Sequence, residues 1–343
     1  MDTTTWQYLL DKTVRHKRTS GMVVSIAANG RQWTGAAGNL RPESPYFIAS
    51  VTKLYITALI MQLRAAGKLQ LHDRIAAYLP DAVINGLHIY RQQNYSQDIT
   101  IRQLLSHTSG LPDYFAQTTG SHHPLLQDLL SGKDQAWTFD MAIDAAKKMK
   151  PVFAPGHPRK ASYADTNFQL LGHIITRITG LPLAHALDKM ISTPLRLENT
   201  YLYTNPADTR PAFIFYRQKP LAIPMAMASF GADGGIVSTA QEQMIFLQAF
   251  FNGQLFPQTY LPDMQQWRMI HFPLAYGTGI ARFKLPAIFT LFRPSPALIG
   301  HAGLSGAFAF YCPEKQAFLT GTVNEAGATA LPFRLMLQLL QKI

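Results

Sequence analysis

The chain has 343 residues, of which 47% are apolar and 15% are charged, and its formal net charge at pH 7 is +11. This composition allows a sizeable buried core and excludes a disordered, collagen-like or coiled-coil protein. The basic residues are scattered apart from two short groups, and neither group is accompanied by zinc-knuckle spacing or a recognition-helix pattern. We therefore interpret them as solvated helical faces and predict no nucleic-acid partner.

The single cysteine and the composition of the first residues indicate the cellular compartment in which the protein is expected to work. A single cysteine, Cys312, excludes an internal disulfide, which fits a reducing environment. Its neighbours Phe308, Phe310 and Tyr311 indicate a strand, so Cys312 is expected to be a small buried side chain and not a nucleophile. No export signal and no apolar run of membrane-spanning length is found. We therefore expect a cytoplasmic protein without a membrane partner.

Hydrophobic periodicity predicts the elements in chain order. Helices are predicted at both ends and in the middle, over residues 5–17, 51–63, 139–149, 166–178, 183–191, 239–251 and 328–340. Strand-like runs lie only towards the two ends, over residues 22–27, 32–37, 279–283, 288–292, 307–312 and 318–323. Asn29-Gly30 separates the first two runs, and this dipeptide is a strong signal of a β-hairpin.

This order of elements predicts an α+β fold. One antiparallel sheet would be built from the two ends of the chain and flanked by the terminal helices, with a mostly helical lobe inserted between them. No repeat or linker occurs, so residues 1–343 are predicted to form a single catalytic domain. The sheet lobe would comprise about 1–67 and 226–343, and the helical lobe about 68–225. A cleft between the lobes is the expected binding site.

Ser50-Val51-Thr52-Lys53 opens the most apolar of the predicted helices. If Ser50 begins that helix, Lys53 lies one turn later on the same face. Burial disfavours the charged form of a lysine, which makes Lys53 a candidate base for the weakly nucleophilic serine hydroxyl. The helix N-terminus would also place a free backbone N–H near a developing oxyanion. The alternative is that Ser50 is an ordinary helix cap.

Two further segments carry candidate residues. Tyr163 and Asp165 precede a predicted helix, and near a lysine Tyr163 could have a lowered pKa and carry a proton. Alternatively, Tyr163 is a packed aromatic and Asp165 or Thr166 caps the helix. Residues 300–306 read Gly-His-Ala-Gly-Leu-Ser-Gly at a predicted strand start, where a ligand could approach the backbone and an edge N–H could form half of an oxyanion hole. A plain turn would have the same composition.

The chain lacks the sequence motifs of other catalytic mechanisms. The chain has no Gly-x-Ser-x-Gly elbow, no phosphate loop, no dinucleotide fingerprint and no His-Glu-x-x-His. His122-His123 lies in a polar loop without partners at metal-ligand spacing. We therefore predict neither a metal nor another cofactor.

In this order and spacing, the three segments resemble the motifs of the serine β-lactamase-like family, which includes penicillin-binding proteins, class C β-lactamases and related carboxylesterases. Ser50–Lys53 resembles the first motif and Tyr163–Asp165 the Tyr-x-Asn motif. His301–Gly303 stands at the Lys-Thr-Gly position, where many esterase-like members carry His-x-Gly. The resemblance spans about residues 20–325, with further segments in register at Leu104–Pro112, Pro155-Gly156, Asp165–Gly172 and Gly234–Ala240.

The resemblance implies a β-lactamase/transpeptidase-like fold and an acyl-enzyme mechanism. Ser50 would attack an acyl carbonyl while Lys53 and Tyr163 move its proton, and the backbone N–H groups of Ser50 and Leu304 would hold the oxyanion. Water or another acceptor would then release the acyl group. His107 lies in a segment that forms a structural turn in this family.

Two departures from the family pattern bear on the substrate. Asp165 stands where asparagine is usual, so it could stabilise protonated Lys53 or favour a substrate that carries an amine. His301 stands where lysine is usual, which weakens a fixed cation for a substrate carboxylate. Together with Ala302 and Gly303, these residues are expected to bind the substrate. Both changes favour an esterase over a β-lactamase.

The first hypothesis is therefore a serine hydrolase, an esterase or acyltransferase that acts on a small-molecule ester or thioester. One alternative is a β-lactamase, or an amidase or carboxypeptidase for D-amino-acid peptides, which turnover of a chromogenic cephalosporin would favour. Another is a sensor that is acylated without turnover. Residues of about 113–138 and 205–225 are expected to line the cleft, and their aromatic and leucine content predicts an apolar part of the substrate.

Overall fold

The main feature of the fold is an eight-stranded antiparallel sheet built from both ends of the described chain. The computed structural model describes residues 2–16, 19–117, 124–286, 288 and 295–343. The strands are β1 Gly21–Ala28, β2 Arg31–Gly38, β3 Tyr46–Phe47, β4 Ile89–Tyr90, β5 Gln93–Asn94, β6 Tyr201–Leu202, β7 Ile214–Tyr216, β8 Lys219–Leu221, β9 Ile236–Ser238, β10 Arg268–His271, β11 Leu274–Tyr276, β12 Ala281–Phe283, β13 Leu298–Ala302, β14 Ala307–Cys312, β15 Ala317–Thr322 and β16 Glu325–Ala326.

The helices lie at both ends of the chain and through its middle. They are α1 Thr3–Arg15, α2 Thr52–Ala65, α3 Asp81–Ile84, α4 Ile101–Leu105, α5 Leu125–Leu130, α6 Phe139–Lys148, α7 Asp165–Thr179, α8 Leu183–Leu187, α9 Thr193–Leu195, α10 Pro224–Ser229, α11 Ala240–Phe251, α12 Leu261–Met264 and α13 Leu331–Leu340. None of the helices described here is both long and apolar enough to cross a membrane.

The strands of the large sheet follow the order β10-β11-β12-β13-β14-β15-β1-β2, so β15 near the end of the chain pairs with β1 near its start. The predicted hairpin between the first two strands is confirmed. Asn29 and Gly30 at its turn have φ values of 51° and 70°. This left-handed conformation at both central residues is the one that matches the twist of the flanking strands.

The two faces of the sheet carry different cores because successive side chains of a strand point to opposite sides. In β14, Phe308 and Phe310 pack with Trp6 of α1 and with the apolar side chains of α13. Ala307 and Ala309 belong to the core on the other face, which contains α2, α7 and α11. The small side chains on this face leave room for the helices that carry the candidate site.

Helix α2 is buried on all sides, as its continuous apolar composition predicts. It lies between the sheet and α7. The helix begins at Thr52 and not at Ser50, because a 3-10 turn, Ala49–Val51, precedes it. Ser50 is therefore at the surface end of a rigid, central element.

The sequence predictions missed three strands of the large sheet, β10, β11 and β13. Strand β13 was not predicted, since its run of Leu, Ile, Gly, His and Ala has no alternating pattern. The predicted run 288–292 lies, apart from Ile288, outside the described residues. Residues 300–306, predicted as a strand start, are instead the end of β13 and the turn that follows it. The predicted helix 183–191 continues after α8 as a π-helix, Asp188–Ser192.

Candidate active site

Ser50 lies in the 3-10 turn between β3 and α2 and is partly exposed. The chain just before it is held by β9, because the N–H of Ile48 donates to the carbonyl of Ile236 at 3.0 Å. Ala49 has a φ of 45°. This left-handed conformation costs a non-glycine residue about 1–3 kcal/mol, and such strain is concentrated at functional sites.

Lys53 lies one turn after Ser50 and is fully buried. Its Nζ is 3.2 Å from Ser50 Oγ, 2.6 Å from Asp165 Oδ1 and 2.6 Å from the backbone oxygen of Asp233. These three contacts equal the number of hydrogens on an ammonium group. The ion pair with Asp165 offsets the desolvation of the buried lysine charge.

Two further buried carboxyl groups, on Asp113 and Asp233, accompany Asp165 near Lys53, and neither was predicted from the sequence. Asp113 Oδ1 accepts the backbone N–H groups of Phe115 and Asp165, each at 3.1 Å. Burial, assisted by the Asp165 charge, raises the pKa of Asp113 to about 7 and raises the pKa of Asp233 well above its usual range. Lys53 and Asp165 therefore form the principal charged pair of the site.

Asp233 reaches the site because a 3-10 helix, Gly231–Asp233, packs closely against α7. A Cβ atom on Gly172 of α7 would lie 2.4 Å from the Cβ of Ala232, so this approach requires glycine. Asp233 Oδ2 accepts hydrogen bonds from the Tyr114 hydroxyl at 2.7 Å and from Gln169 Nε2 at 3.0 Å. This anchoring fixes the backbone carbonyl that accepts from the lysine.

The Tyr163 side chain lies beside Ser50, and its ring centroid is 5.0 Å from Lys53 Nζ. The expected lowering of the Tyr163 pKa is wrong. Burial, followed by the Asp165 charge, raises the pKa of Tyr163 well above its usual value, and the neighbouring Ser50 hydroxyl opposes this only in part. Because Asp165 pairs with the lysine, the nearby cation does not stabilise a phenolate. Tyr163 is therefore a phenol that holds a proton next to Ser50.

His107 supports the backbone on either side of Tyr163. Its Nδ1 accepts the N–H of Ala164 at 3.2 Å and contacts Asn167 Nδ2 at 3.0 Å, and the ring lies 4.4 Å from the Tyr163 ring. The Asn167 amide donates in that contact, because its oxygen accepts from Ser109 Oγ. Burial lowers the pKa of His107 well below its usual value, so the imidazole is neutral.

His301 is a buried residue of β13 with both ring nitrogens occupied. Nδ1 donates to the carbonyl of Ala302 at 2.8 Å, because a carbonyl can only accept. Nε2 is then left to accept from the Tyr276 hydroxyl at 3.1 Å. Burial, followed by the Lys53 charge, lowers the pKa of His301 to about 3. The imidazole is therefore neutral at physiological pH and supplies no cation for a carboxylate.

The turn between β13 and β14 packs against the turn that carries Ser50. It is closed by a hydrogen bond from the N–H of Gly306 to the carbonyl of Gly303 at 3.0 Å. A Cβ atom on Gly303 would lie 2.4 Å from the backbone oxygen of Ile48, so only glycine allows this approach. The turn is also tied to β3, because Ser305 Oγ donates to the carbonyl of Phe47 at 2.7 Å.

Leu304 lies within this turn, where its N–H donates no backbone hydrogen bond to the described residues. Both Leu304 and Ser50 line the same two cavities. This placement is compatible with the predicted oxyanion hole, in which two unpaired backbone N–H groups face one substrate oxygen.

Two cavities meet at Ser50. The apolar pocket, with a volume of about 50 Å³, extends from Ser50 and Asp165 past Phe115, Leu129, Ile214, Met227, Phe230 and Ala326. The large cavity, of about 260 Å³, extends from Ser50 past Tyr163, Ile270, His271, Leu274, Tyr276, Ala281, His301, Ala302, Gly303, Leu304, Gly306, Phe310, Glu325, Ala328, Thr329, Pro332 and Phe333. A substrate bound at Ser50 therefore has space on two sides.

The predicted site residues are distributed over two connected groups. The structure brings Ser50, Lys53, Tyr163 and Asp165 into contact, and it places His301, Ala302, Gly303 and Leu304 along the large cavity. Of the predicted cleft segments, 113–138 contributes Phe115 and Leu129, and 205–225 contributes Ile214. Residues 118–123, including His122 and His123, lie outside the described residues.

The wall of the large cavity formed by β10, β11 and residues 325–333 was not predicted. Tyr276 and Glu325 belong to this wall, and no sequence motif marks either of them.

The sequence contains only a weak indication that Asp113 and Asp233 belong to the site, because each lies beside a segment that was recognised for other reasons. Asp113 follows Leu104–Pro112, and Asp233 precedes Gly234–Ala240.

The profile of the family described as Beta-lactamase matches residues 8–341. Among curated proteins, the D-alanyl-D-alanine-carboxypeptidase/endopeptidase AmpH of Escherichia coli (strain K12) is 27% identical over 239 residues, which cover 68% of this chain and 56% of that protein. Esterase EstB of Burkholderia gladioli is 29% identical over 202 residues, which cover 56% of this chain and 49% of that protein. The chain thus spans about half the length of these curated relatives.

Solved structures resemble the chain over nearly its whole length. The crystal structure of a D-stereospecific amidohydrolase from Streptomyces sp. superposes with a TM-score of 0.78 and 25% sequence identity, covering 97% of this chain and 99% of that one. The similarity therefore includes the large sheet and the helices on both of its faces.

Proposed function

Because this chain belongs to the Beta-lactamase family, we propose that it is a serine hydrolase that forms an acyl-enzyme on Ser50 and hydrolyses small-molecule esters. The observation that carries the proposal is the contact between Ser50 Oγ and the buried Lys53 Nζ at 3.2 Å, at the meeting point of two cavities. A serine hydroxyl is a weak nucleophile unless a neighbouring group accepts its proton.

The partners of Lys53 allow it to act as that base. Two of them, the Asp165 carboxylate and the Asp233 carbonyl, can only accept hydrogen bonds, whereas the Ser50 hydroxyl can also donate. A neutral lysine could donate its two hydrogens to the first two and accept the Ser50 proton on its lone pair. The proton that Lys53 must first lose would be carried by the Asp165 oxygen that makes no hydrogen bond with the lysine, so that Oδ1, 2.6 Å away, still accepts from the neutral amine.

Tyr163 would complete the proton transfer as an acid. Its phenol holds a proton beside Ser50 and lines the large cavity. As the bond between Ser50 Oγ and the carbonyl carbon forms, the Ser50 proton passes to Lys53. Tyr163 then gives its proton to the departing alkoxide as the ester bond breaks, and it recovers a proton from Lys53. In the second half of the reaction water attacks the acyl carbon and passes a proton to Lys53, while Tyr163 protonates Ser50 Oγ and is again reprotonated by Lys53 as the acid leaves.

The electrostatics of the site favour substrates without a carboxylate beside the acyl group. His301 is neutral, and Lys53 is already paired with Asp165. Among the described residues that line the two cavities there is no arginine and no lysine. Since β-lactams and D-alanyl peptides carry a carboxylate, this arrangement supports an esterase more than a β-lactamase or carboxypeptidase.

Steady-state kinetics with a panel of chromogenic substrates test the proposal. The panel comprises p-nitrophenyl acetate, butyrate and octanoate, a chromogenic cephalosporin, and the same esters in the presence of an added alcohol. The proposal predicts turnover of esters, with kcat/KM for the cephalosporin at least about 100-fold lower, as expected when charged hydrogen bonds to its carboxylate are missing. Transfer of the acyl group to the alcohol would identify an acyltransferase. Cephalosporin turnover as fast as that of the esters would contradict the proposal.

A second candidate is the hydrolysis of D-amino-acid amides. It is supported by the similarity to the D-stereospecific amidohydrolase and by Asp165, a carboxylate at the position where the motif resemblance implies asparagine. Competing p-nitroanilides of D- and L-phenylalanine distinguish the two candidates. Selective hydrolysis of the D-isomer, at a rate comparable with the esters, would favour the amidase.

A further inference from the structure

Glu325 is a buried acid that the proposed mechanism does not use. It lies in β16, 6% exposed, and lines the large cavity together with Ser50. Its Oε1 is 3.4 Å from the backbone N–H of Gln218, a long hydrogen bond, and its Oε2 has no hydrogen-bond partner among the described residues. None of the ion pairs in the described part of the chain involves Glu325.

A buried carboxyl oxygen without a partner is rare in folded proteins, because leaving it unpaired costs about 1–3 kcal/mol or more. Burial raises the pKa of Glu325, and the nearby N–H groups of Gln218 and Arg217, of which only that of Gln218 has hydrogen-bond geometry, oppose this only in part. A residue that served only to hold the hairpin β7–β8 would be expected to use both oxygens. The free oxygen therefore points to a partner that arrives with a ligand.

The surroundings of Glu325 indicate the chemistry of that partner. Among the described residues lining the large cavity, Glu325 is the only acid, and no lysine or arginine accompanies it. The other walls are mainly apolar and aromatic, with Tyr276, Phe310 and Phe333 among them. An aromatic, apolar cavity with one carboxylate suits an alkylammonium group, since carboxylates bind it by charged hydrogen bonds and ring faces attract cations.

The charge of the whole chain does not explain this arrangement. A net charge of +11 creates a field that repels cations at long range. Selection of a cation must then come from a local group inside the cavity, where screening by water is weak.

We propose that the large cavity binds the part of the substrate that carries a protonated amine, and that Glu325 is the specificity residue that pairs with this ammonium group. The inference rests on the proposed function, because it assigns the substrate class of the Ser50 site. The inference narrows the proposed substrate class from small esters to esters or thioesters that carry an amine.

Two pairs of isosteric substrates test this inference. The first pair carries the charge on the acyl side: p-nitrophenyl 6-aminohexanoate and p-nitrophenyl heptanoate differ only by an ammonium in place of a methyl group. The second pair carries it on the leaving group: S-2-(dimethylamino)ethyl thioacetate, whose amine is protonated at neutral pH, and its neutral isostere S-3-methylbutyl thioacetate. In at least one pair, kcat/KM for the charged member should exceed that of the neutral member by about 10- to 100-fold, the range expected for a charged hydrogen bond.

The variant Glu325→Gln keeps the shape of the side chain and removes its charge, so the ratio of charged to neutral kcat/KM should fall to about one. Glu198→Gln removes an exposed acid outside both cavities and should leave the ratio at the wild-type value. If Glu325→Gln does not fold, Glu325→Asp retracts the carboxylate and should lower the ratio at least about 3-fold.

The outcomes separate the two proposals. A ratio near one in both pairs for the wild type, or a ratio that neither Glu325 variant changes, overturns the role of Glu325 while ester hydrolysis stands. If neither neutral substrate is hydrolysed and Ser50 is not acylated, the proposed function itself fails, and the substrate class assigned here fails with it.

Discussion

Asp165, at the position where the motif resemblance implies asparagine, determines how Lys53 can act. A neutral amide would share a hydrogen bond with the lysine, whereas the carboxylate at 2.6 Å can also take a proton from it. The raised pKa values of Asp113 and Asp233 keep these neighbours from adding two more full charges. Lys53 and Asp165 can therefore share one proton. They do so next to Ser50, whose hydroxyl must lose its proton when it attacks the substrate.

Lys53→Ala should lower the rate of ester hydrolysis by about 10²- to 10⁴-fold, the contribution of a positioned base. Removing one partner of a buried ion pair should also destabilise the fold by about 3–5 kcal/mol. Burst kinetics together with circular dichroism separate the two effects. The double variant Lys53→Ala/Asp165→Asn should regain stability without regaining activity. A folded Lys53→Ala enzyme that is acylated at the wild-type rate would show that Lys53 is not the base.

His301→Lys should change the preference of the site for charged substrates. The neutral imidazole would be replaced by an ammonium group that lines the same cavity as Ser50. We expect kcat/KM for a carboxylate-bearing ester to rise about 10-fold relative to its neutral isostere, which corresponds to roughly 1.4 kcal/mol. Competition assays with the two esters measure this ratio directly. An unchanged ratio in a folded variant would mean that residue 301 does not face the substrate.

The residues that the sequence identified share one property: each belongs to a short local pattern. Ser50 and Lys53 are three residues apart, and Tyr163 and Asp165 are two apart. Asp233 and Glu325 could not be found in this way, because their roles come from contacts with residues distant in the sequence. Asp233 is 180 positions from the lysine that its carbonyl binds.

At the scale of elements, two turns decide the geometry around Ser50. The 3-10 turn, Ala49–Val51, places the hydroxyl at the end of α2, and the turn from Gly303 to Gly306 lies against it. A hydrogen bond from Ser305 to Phe47 and the absence of a side chain at Gly303 together set their separation. The position of the Leu304 N–H therefore depends on how closely the two turns pack.

Gly303→Ala should lower kcat by about 10- to 100-fold, because a displacement of about 1 Å in a catalytic group has effects of this size. The added Cβ would lie 2.4 Å from the oxygen of Ile48, so one of the turns must move. Ser305→Ala, which removes a hydrogen bond without adding atoms, should have a smaller effect. Pre-steady-state acylation rates test the comparison. A folded Gly303→Ala variant with wild-type acylation would contradict the role of this turn.

The elements themselves were predictable to different degrees. Helices α6, α7 and α11 and the hairpin β1–β2 follow their sequence patterns within a few residues, because each has a clear period or turn signal. Strand β13 was missed because its place in the middle of the sheet comes from pairing with β12 and β14 and not from its own composition. The wall that β10 and β11 contribute to the large cavity is likewise a result of sheet order.

At the scale of the whole molecule, the predicted α+β architecture is confirmed. The sheet joins both ends of the described chain, and the similarity to solved structures extends over 97% of the chain. This arrangement brings residues from four distant segments, around 50, 163, 233 and 301, to one place. The ionisation of this central region should then influence the stability of the entire fold.

The pKa of Asp113 is about 7 in the folded protein, against about 3.9 for an unperturbed aspartate in the unfolded chain. The folded state thus binds this proton more tightly, so the stability that Asp113 contributes is fully present below the unfolded pKa and is lost as the pH rises through about 7. Asp113→Asn removes the titration, and its side-chain oxygen can still accept the two N–H groups. Between pH 5 and pH 8, wild type should lose about 3 kcal/mol relative to this variant.

Urea unfolding of both proteins at the two pH values measures this difference, and titrations common to both cancel in the comparison. Asp144→Asn, on the exposed side of α6, serves as the control and should show no such difference. A stability difference between wild type and Asp113→Asn that does not change with pH would contradict the assigned pKa.

The central claim is that Ser50 carries the acyl group. Its most direct test is the intact-protein mass after brief exposure to p-nitrophenyl butyrate, for wild type and for Ser50→Ala, followed by a second measurement after removal of the ester. We predict a mass increase of one butyryl group in wild type only, lost on further incubation as water releases the acid. An adduct that persists would indicate a sensor in place of a hydrolase. An adduct of equal amount in Ser50→Ala, or no adduct and no nitrophenol release from folded wild type, would contradict the claim.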